Sequence, residues 1–82
     1  MKLVIDSINK NLIGTKLREA RTKKGLTQKD LSEKLETHAI YIDRASISKI
    51  EKQKRIVTDL ELVALSKILN VSVNWLLGIK ED

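Results

Sequence analysis

GLTQKDLSEKLETHAIYIDRASISKIEKQK, running from Gly25 to Lys54, is the stretch that decides the fold. Thr27-Gln28-Lys29-Asp30 has the capping-box pattern, in which a threonine hydroxyl and an acidic side chain three positions later satisfy orphan amides at a helix start. A helix of about nine residues is expected to follow, with Leu31 and Leu35 turned inward. Asp43 is a second N-cap candidate and opens another helix from Arg44 to about Lys52. With residues placed at roughly 100° intervals, Ile47 and Ile50 fall on its inner side. Ala45, Ser48, Lys49 and Lys52 fall on the outer side, with Arg44 at the leading edge. That outer side carries no acid, because Glu51 lies on the flank beside the core. Between the two helices, Glu36 to Ile42 shows no helical stripe; Ile40 and Ile42 alternate with Tyr41, as if to tuck two side chains beneath a loop, and His38 is expected to be exposed.

Toward the N-terminus, Ser7 to Lys24 reads as a helix with Asp6 or Ser7 as its cap and Ile13, Leu17 and Ala20 as its buried stripe. Ile8 and Leu12 form a second apolar pair, which fits either packing under the N-terminal residues or a subunit contact. Lys23, Lys24 and Gly25 suit the end of this helix, cations at its negative pole and glycine past its last turn. Met1 to Ile5 alternates too briefly to define a strand, and residues 1–7 are read as an N-terminal arm whose role stays open.

Toward the C-terminus, Thr58-Asp59-Leu60-Glu61 is another capping box and opens a fourth helix to about Leu69. Leu62, Leu65 and Leu69 form one apolar side, and Leu60, Val63 and Ala64 the other, so this helix is expected to be covered from two directions. Ser72 caps a last short helix containing Val73, Trp75, Leu76 and Leu77, which Gly78 stops. Trp75 reads as an anchor in the core or in a dimer contact.

The 82 residues make one domain, able to bury roughly 60–65% of the surface of the unfolded chain. Sixteen Lys and Arg against eleven Asp and Glu give a net charge of +5, which suits a polyanionic partner. Up to Thr58 the chain holds fourteen basic and seven acidic residues, and from Asp59 onward two basic and four acidic. The positive field therefore belongs to the part containing the helix pair. Cysteine is absent, which excludes disulfides and thiol chemistry and agrees with a reducing cytoplasm. One histidine cannot assemble a metal site, and neither a cofactor nor a membrane span is expected. There is no phosphate-binding glycine loop and no carboxylate cluster, so the usual catalytic constellations cannot be built and an enzyme is not expected.

GLTQKDLSEKL, then ISKIE, then a capped helix ending LNVSVNWLLG closely resemble the DNA-binding domains of phage repressors and of the xenobiotic-response-element type of bacterial regulator. The resemblance covers roughly Ile13 to Gly78. It implies an all-α, five-helix, lambda-repressor-like domain whose second and third helices form a helix-turn-helix, with the third in the DNA major groove and the start of the second against the backbone. It further implies base contacts from Arg44, Ala45 and Lys49 and a phosphate contact from Gln28; Ser48 is expected to join the base contacts, and Thr27, at the same helix start as Gln28, the phosphate contacts. Arg and Lys can donate to guanine O6 and N7, and the Ala45 methyl can touch a thymine methyl. Lys52, Lys54 and Arg55 are better placed for phosphates, which fix register without reading sequence. Arg21 and Glu51 match positions where relatives hold a partly buried ion pair between the first and third helices.

Two departures stand out. Several extra residues separate Leu35 from Asp43, beyond the usual turn of about three to four residues, which would alter the angle of the third helix in the groove. Gln53 replaces the usual glycine after the helix-three glutamate, so the backbone there must avoid positive φ or accept strain. The expected function is a sequence-specific double-stranded DNA-binding regulator of transcription, read as a repressor and as a homodimer on an operator. The alternative is an antitoxin or protein-interaction module that uses the same fold to hold a toxin or co-regulator.

Overall fold

A computed structural model describes residues 9–80, and five helices account for its regular structure: α1 (Gly14–Lys23), α2 (Gln28–Thr37), α3 (Arg44–Glu51), α4 (Asp59–Leu69) and α5 (Val73–Leu77). No strand occurs among the described residues. None of the helices is long and apolar enough to cross a membrane. α3 packs on both α1 and α2, while α4 and α5 close the other side against α1 and α2. One continuous core results. It takes Ile13, Leu17 and Ala20 from the first helix and its approach, Leu31 and Leu35 from α2, and Ile47 and Ile50 from α3. Ala64, Leu65 and Leu69 of α4, Leu76 of α5 and Ile42 of the α2–α3 link complete it. Fully burying one such aliphatic side chain stabilises the fold by about 1.5–3 kcal/mol, and it is this packing that holds helices too short to persist alone in water.

Four of the five starts follow the expected caps. The hydroxyls of Thr27, Thr58 and Ser72 accept from the backbone N–H of Asp30, Glu61 and Trp75, and the Asp43 carboxylate accepts from Ser46. The exception is α1, which begins at Gly14 rather than near Ser7. Asn11 explains the late start: its Oδ1 accepts from the N–H of Ile13 (3.1 Å) and of Gly14 (2.9 Å), and such a local bond favours a turn over continued helix. The same side chain donates to the carbonyls of Ile50 (3.0 Å) and Arg55 (2.8 Å), tying the approach to α1 onto the end of α3. Contact there is close enough to require glycine. A Cβ on Gly14 would lie 2.4 Å from the Ile50 carbonyl oxygen. The expected caps Asp6 and Ser7, the residue Ile8 and the arm over residues 1–7 lie outside the described residues.

All five helices stop the same way. One residue past the last turn takes a left-handed conformation, and the next N–H bonds back to a carbonyl five residues earlier: Leu26 to Arg21, Ile40 to Leu35, Lys54 to Lys49, Val71 to Ser66 and Ile79 to Asn74. Gly25 and Gly78 adopt that conformation without penalty, whereas Ala39, Gln53 and Asn70 take it with φ of 60°, 61° and 55°. Gln53 therefore accepts the strain that its position demands. Its side chain donates to the Asn11 carbonyl (3.0 Å) and its own carbonyl accepts from Lys10 (2.9 Å), contacts a glycine could not fully replace.

One packing expectation is corrected. Among the described residues α4 is covered on one side only: Ala64 is buried, but Leu60 is 72% exposed and Val63 44%. Helix α4 packs against α1, α2 and α5, which line a single arc of it. Leu12, at the approach to α1, is exposed as well.

Candidate nucleic-acid interface

α3 is anchored from beneath by Ile47 and Ile50, neither of which has any exposed surface. Its start is fixed by Asp43, whose Oδ1 accepts from the Ser46 N–H at 2.7 Å. That bond, followed by the Ser46 hydroxyl, holds the Asp43 carboxyl below the usual aspartate range. With the apolar side fixed inward, Arg44, Ala45, Lys49 and Lys52 are exposed and Ser48 is half-buried. Lys52 is the cap residue just past the helix rather than its last turn. The outward surface of α3 is thus two cations, a methyl and a hydroxyl, with Lys52 at its far end.

At the root of this helix three elements meet on one carboxylate. Glu51 of α3 accepts from Arg21 of α1 through Nε (2.6 Å) and Nη2 (3.0 Å), and from the Gln28 side-chain amide of α2 at 3.1 Å. Arg21 also donates through Nη1 to the Leu26 carbonyl at 2.8 Å, so the turn into α2 is bound to the same group. Side-chain exposure of the pair is 10% for Arg21 and 3% for Glu51. The hydrogen bond to Glu51 raises the Arg21 pKa further, against the opposing pull of burial. A buried pair of this kind, satisfied on every side, fixes geometry more than it adds stability. Here it sets α2 and α3 relative to α1.

Gln28 therefore does not stand alone at the α2 start, because one of its donors is already held by Glu51. A small groove runs past it, lined by Arg18, Arg21, Gln28, Ser48, Glu51 and Lys52. Arg18 was not among the residues singled out from the sequence. Its only signal there is its place one helical turn before Arg21, and the groove becomes visible only once α1 lies beside α3. Thr27 is committed to its capping box, accepting from Asp30 at 3.0 Å while its own N–H donates back at 2.9 Å.

Arg55 is placed differently from the lysines before it. Its guanidinium forks onto Glu61, Nη1 to Oε1 and Nη2 to Oε2, both at 3.0 Å, and Nη1 also donates to the Ile56 carbonyl. The pair locks the α3–α4 connection onto the capping box of α4, where Glu61 accepts from the Thr58 N–H at 2.9 Å. The Arg55 hydrogen bond, opposed by burial and aided by Thr58, holds the Glu61 carboxyl below the usual glutamate range. Because the folded pKa is depressed, the stabilisation is present above the unfolded value and lost as pH falls through the folded one. Urea midpoints measured from pH 6 down to about pH 3 should fall for the parent chain and fall less steeply for Glu61→Gln, which starts lower at neutral pH. Parallel slopes would mean that Glu61 carries no such linkage.

The link between α2 and α3 is longer than a tight turn but well held. Ile42 is buried, Ile40 packs against the core, and the Ser32 hydroxyl donates to the Ile42 carbonyl at 2.7 Å. His38 and Tyr41 are exposed.

A helix-turn-helix family model matches residues 17–76. Over 66 residues the chain is 39% identical to the HTH-type transcriptional regulator ImmR of Bacillus subtilis (strain 168), a match that covers 80% of this chain and 48% of that protein. The chain thus spans about half the length of that relative. Among solved structures, the restriction-modification controller protein C.AhdI from Aeromonas hydrophila aligns with a TM-score of 0.67 and 30% identity, over 78% of this chain and 86% of that one. The P22 c2 repressor, solved in complex with synthetic operator 9T, aligns with a TM-score of 0.69 and 28% identity, over 88% and 98% of the two chains.

Proposed function

The chain belongs to the helix-turn-helix family, and from that premise we propose that it is a sequence-specific DNA-binding transcriptional repressor. The observation that carries this reading is the outward face of α3, cationic and small, free of acid and held rigidly from below by Ile47 and Ile50. Arg44 and Lys49 supply donors for guanine edges, Ala45 an apolar contact for thymine, and Ser48 a short hydroxyl between them. Lys52 and Lys54 meet phosphates. Arg18 and Gln28 join Lys52 along the groove at the start of α2, where a helix N-terminus also favours an anion. Thr27 lies at that same start, but its N–H and hydroxyl are both taken by the capping box, so it contributes by fixing the helix end. Arg55 contributes less than a lone arginine would, since Glu61 neutralises it and holds it in the loop. The likeness to a repressor solved on its operator supports the same orientation of α3.

Selection of binding sites from random duplexes, repeated at two salt concentrations, tests the proposal. Arg44→Ala and Lys49→Ala should each cost about 1–3 kcal/mol on the preferred site and relax base choice at one position. Lys52→Ala should weaken binding to all duplexes alike and lower the salt slope by about one. If no preferred sequence emerges, or if Arg44→Ala weakens every duplex equally, α3 does not read bases.

A further inference from the structure

Among the described residues one side of α4 has no neighbour, although its sequence carries apolar side chains there. Its exposed arc carries Asp59, Leu60, Val63 and Lys67, with Val63 at the middle and a carboxylate and an ammonium at the two ends. Ile56, just before the helix, adds a third exposed aliphatic at 67% exposure. Scattered surface leucines need no explanation, but an apolar stripe along one helix, bounded by opposite charges, marks an interaction surface.

We propose that this face of α4 docks a second copy of the chain, the two helices running antiparallel across a two-fold axis at Val63. The charge order selects that occupant. In such a pair each residue faces the one equally far beyond Val63, so Asp59 of one copy meets Lys67 of the other, twice by symmetry. Leu60 and Val63 of both copies fill the space between. Antiparallel packing also sets the negative C-terminal end of each helix beside the positive N-terminal end of its neighbour. A parallel arrangement would instead stack like charges. The proposal deepens the regulator reading, on which it rests for its purpose, by naming the surface through which two copies share one operator. The contact itself is testable without DNA.

Sedimentation equilibrium over a range of protein concentrations reads the association directly. Val63→Glu sets two like charges against each other at the axis and should weaken self-association by about 100-fold. Asp59→Lys and Lys67→Asp, each alone, should weaken it by roughly fivefold, more at low salt. The decisive sample is an equimolar mixture of those two single variants. One copy then carries lysine at both ends of the stripe and the other aspartate at both, so the mixture should associate more tightly than either variant alone. Circular dichroism on each sample confirms that the fold is kept. A chain that stays monomeric at all concentrations overturns the proposal, and so does a dimer unchanged by Val63→Glu or a mixture no tighter than its parts. A dimer lost instead on changing Trp75 would move the contact to α5. DNA binding is scored separately: the Val63→Glu monomer should keep its preference for a single half-site, so failure of the docking surface and failure of base reading give different results.

Discussion

Glu51→Ala is expected to lower the free energy of unfolding by about 3–5 kcal/mol, the usual consequence of stranding one member of a buried ion pair. The residue left behind would be Arg21, whose side chain is only 10% exposed and would keep just the Leu26 carbonyl as a partner. Gln28 would lose its acceptor in the same step. A domain of this length is stable by only about 4–12 kcal/mol, so the variant should sit near the edge of folding at room temperature. Urea denaturation followed by circular dichroism measures the loss. Replacing both partners with apolar residues, Arg21→Met together with Glu51→Leu, should recover much of it, since no charge is then left stranded. A loss below about 1 kcal/mol for Glu51→Ala would indicate a solvated pair instead. The DNA reading adds a further expectation: the apolar double variant should fold yet bind its operator less well, because α2 and α3 are no longer set against α1 by a directional group.

Asn11→Ala should cost about 2–4 kcal/mol, combining a lost helix cap with a carbonyl left unpaired in a part-buried site. One side chain here serves both ends of a junction, accepting from the first amides of α1 and donating to the carbonyls of Ile50 and Arg55. The Arg55 carbonyl is the more exposed to the loss, because Ile50 also accepts from the Gln53 N–H. Asn11→Asp tests the donated bonds in particular. It keeps the acceptor for α1 but sets a carboxylate oxygen where the amide donated to the Ile50 and Arg55 carbonyls, so at neutral pH it should destabilise at least as much as alanine. An aspartate variant as stable as the parent chain would show that the donated bonds contribute nothing.

Those two positions show where sequence is informative and where it falls silent. The caps at Thr27, Asp43, Thr58 and Ser72 are local: each involves residues within one turn, and the chemistry is written into adjacent letters. The buried stripes of α2 and α3 were legible for the same reason, since helical periodicity alone sorts Leu31, Leu35, Ile47 and Ile50 inward. Arg21 and Glu51 came from family resemblance, as thirty positions separate them and no local rule joins them. Asn11 was missed because its partners lie about forty residues away and its local competition with the helix reads as an ordinary polar residue. The charge of Arg55 is visible in sequence, whereas its pairing with Glu61 depends on how the α3–α4 connection folds back. The exposed side of α4 was hidden by its own hydrophobicity: leucine and valine on two arcs imply burial on both, and only the packing shows that one arc has no neighbour among the described residues.

The shared way in which the helices end bears on how quickly the chain finds its shape. Each helix end is closed by hydrogen bonds spanning no more than five residues, so where a rod stops is written in neighbouring letters, although the rod itself persists only once it is packed. The conformational search is thereby narrowed to the joint formation and docking of the five short rods found among the described residues. Chains dominated by such near-neighbour contacts belong to the class that folds in about microseconds to milliseconds. Little time is then spent with a half-formed apolar interior open to other molecules.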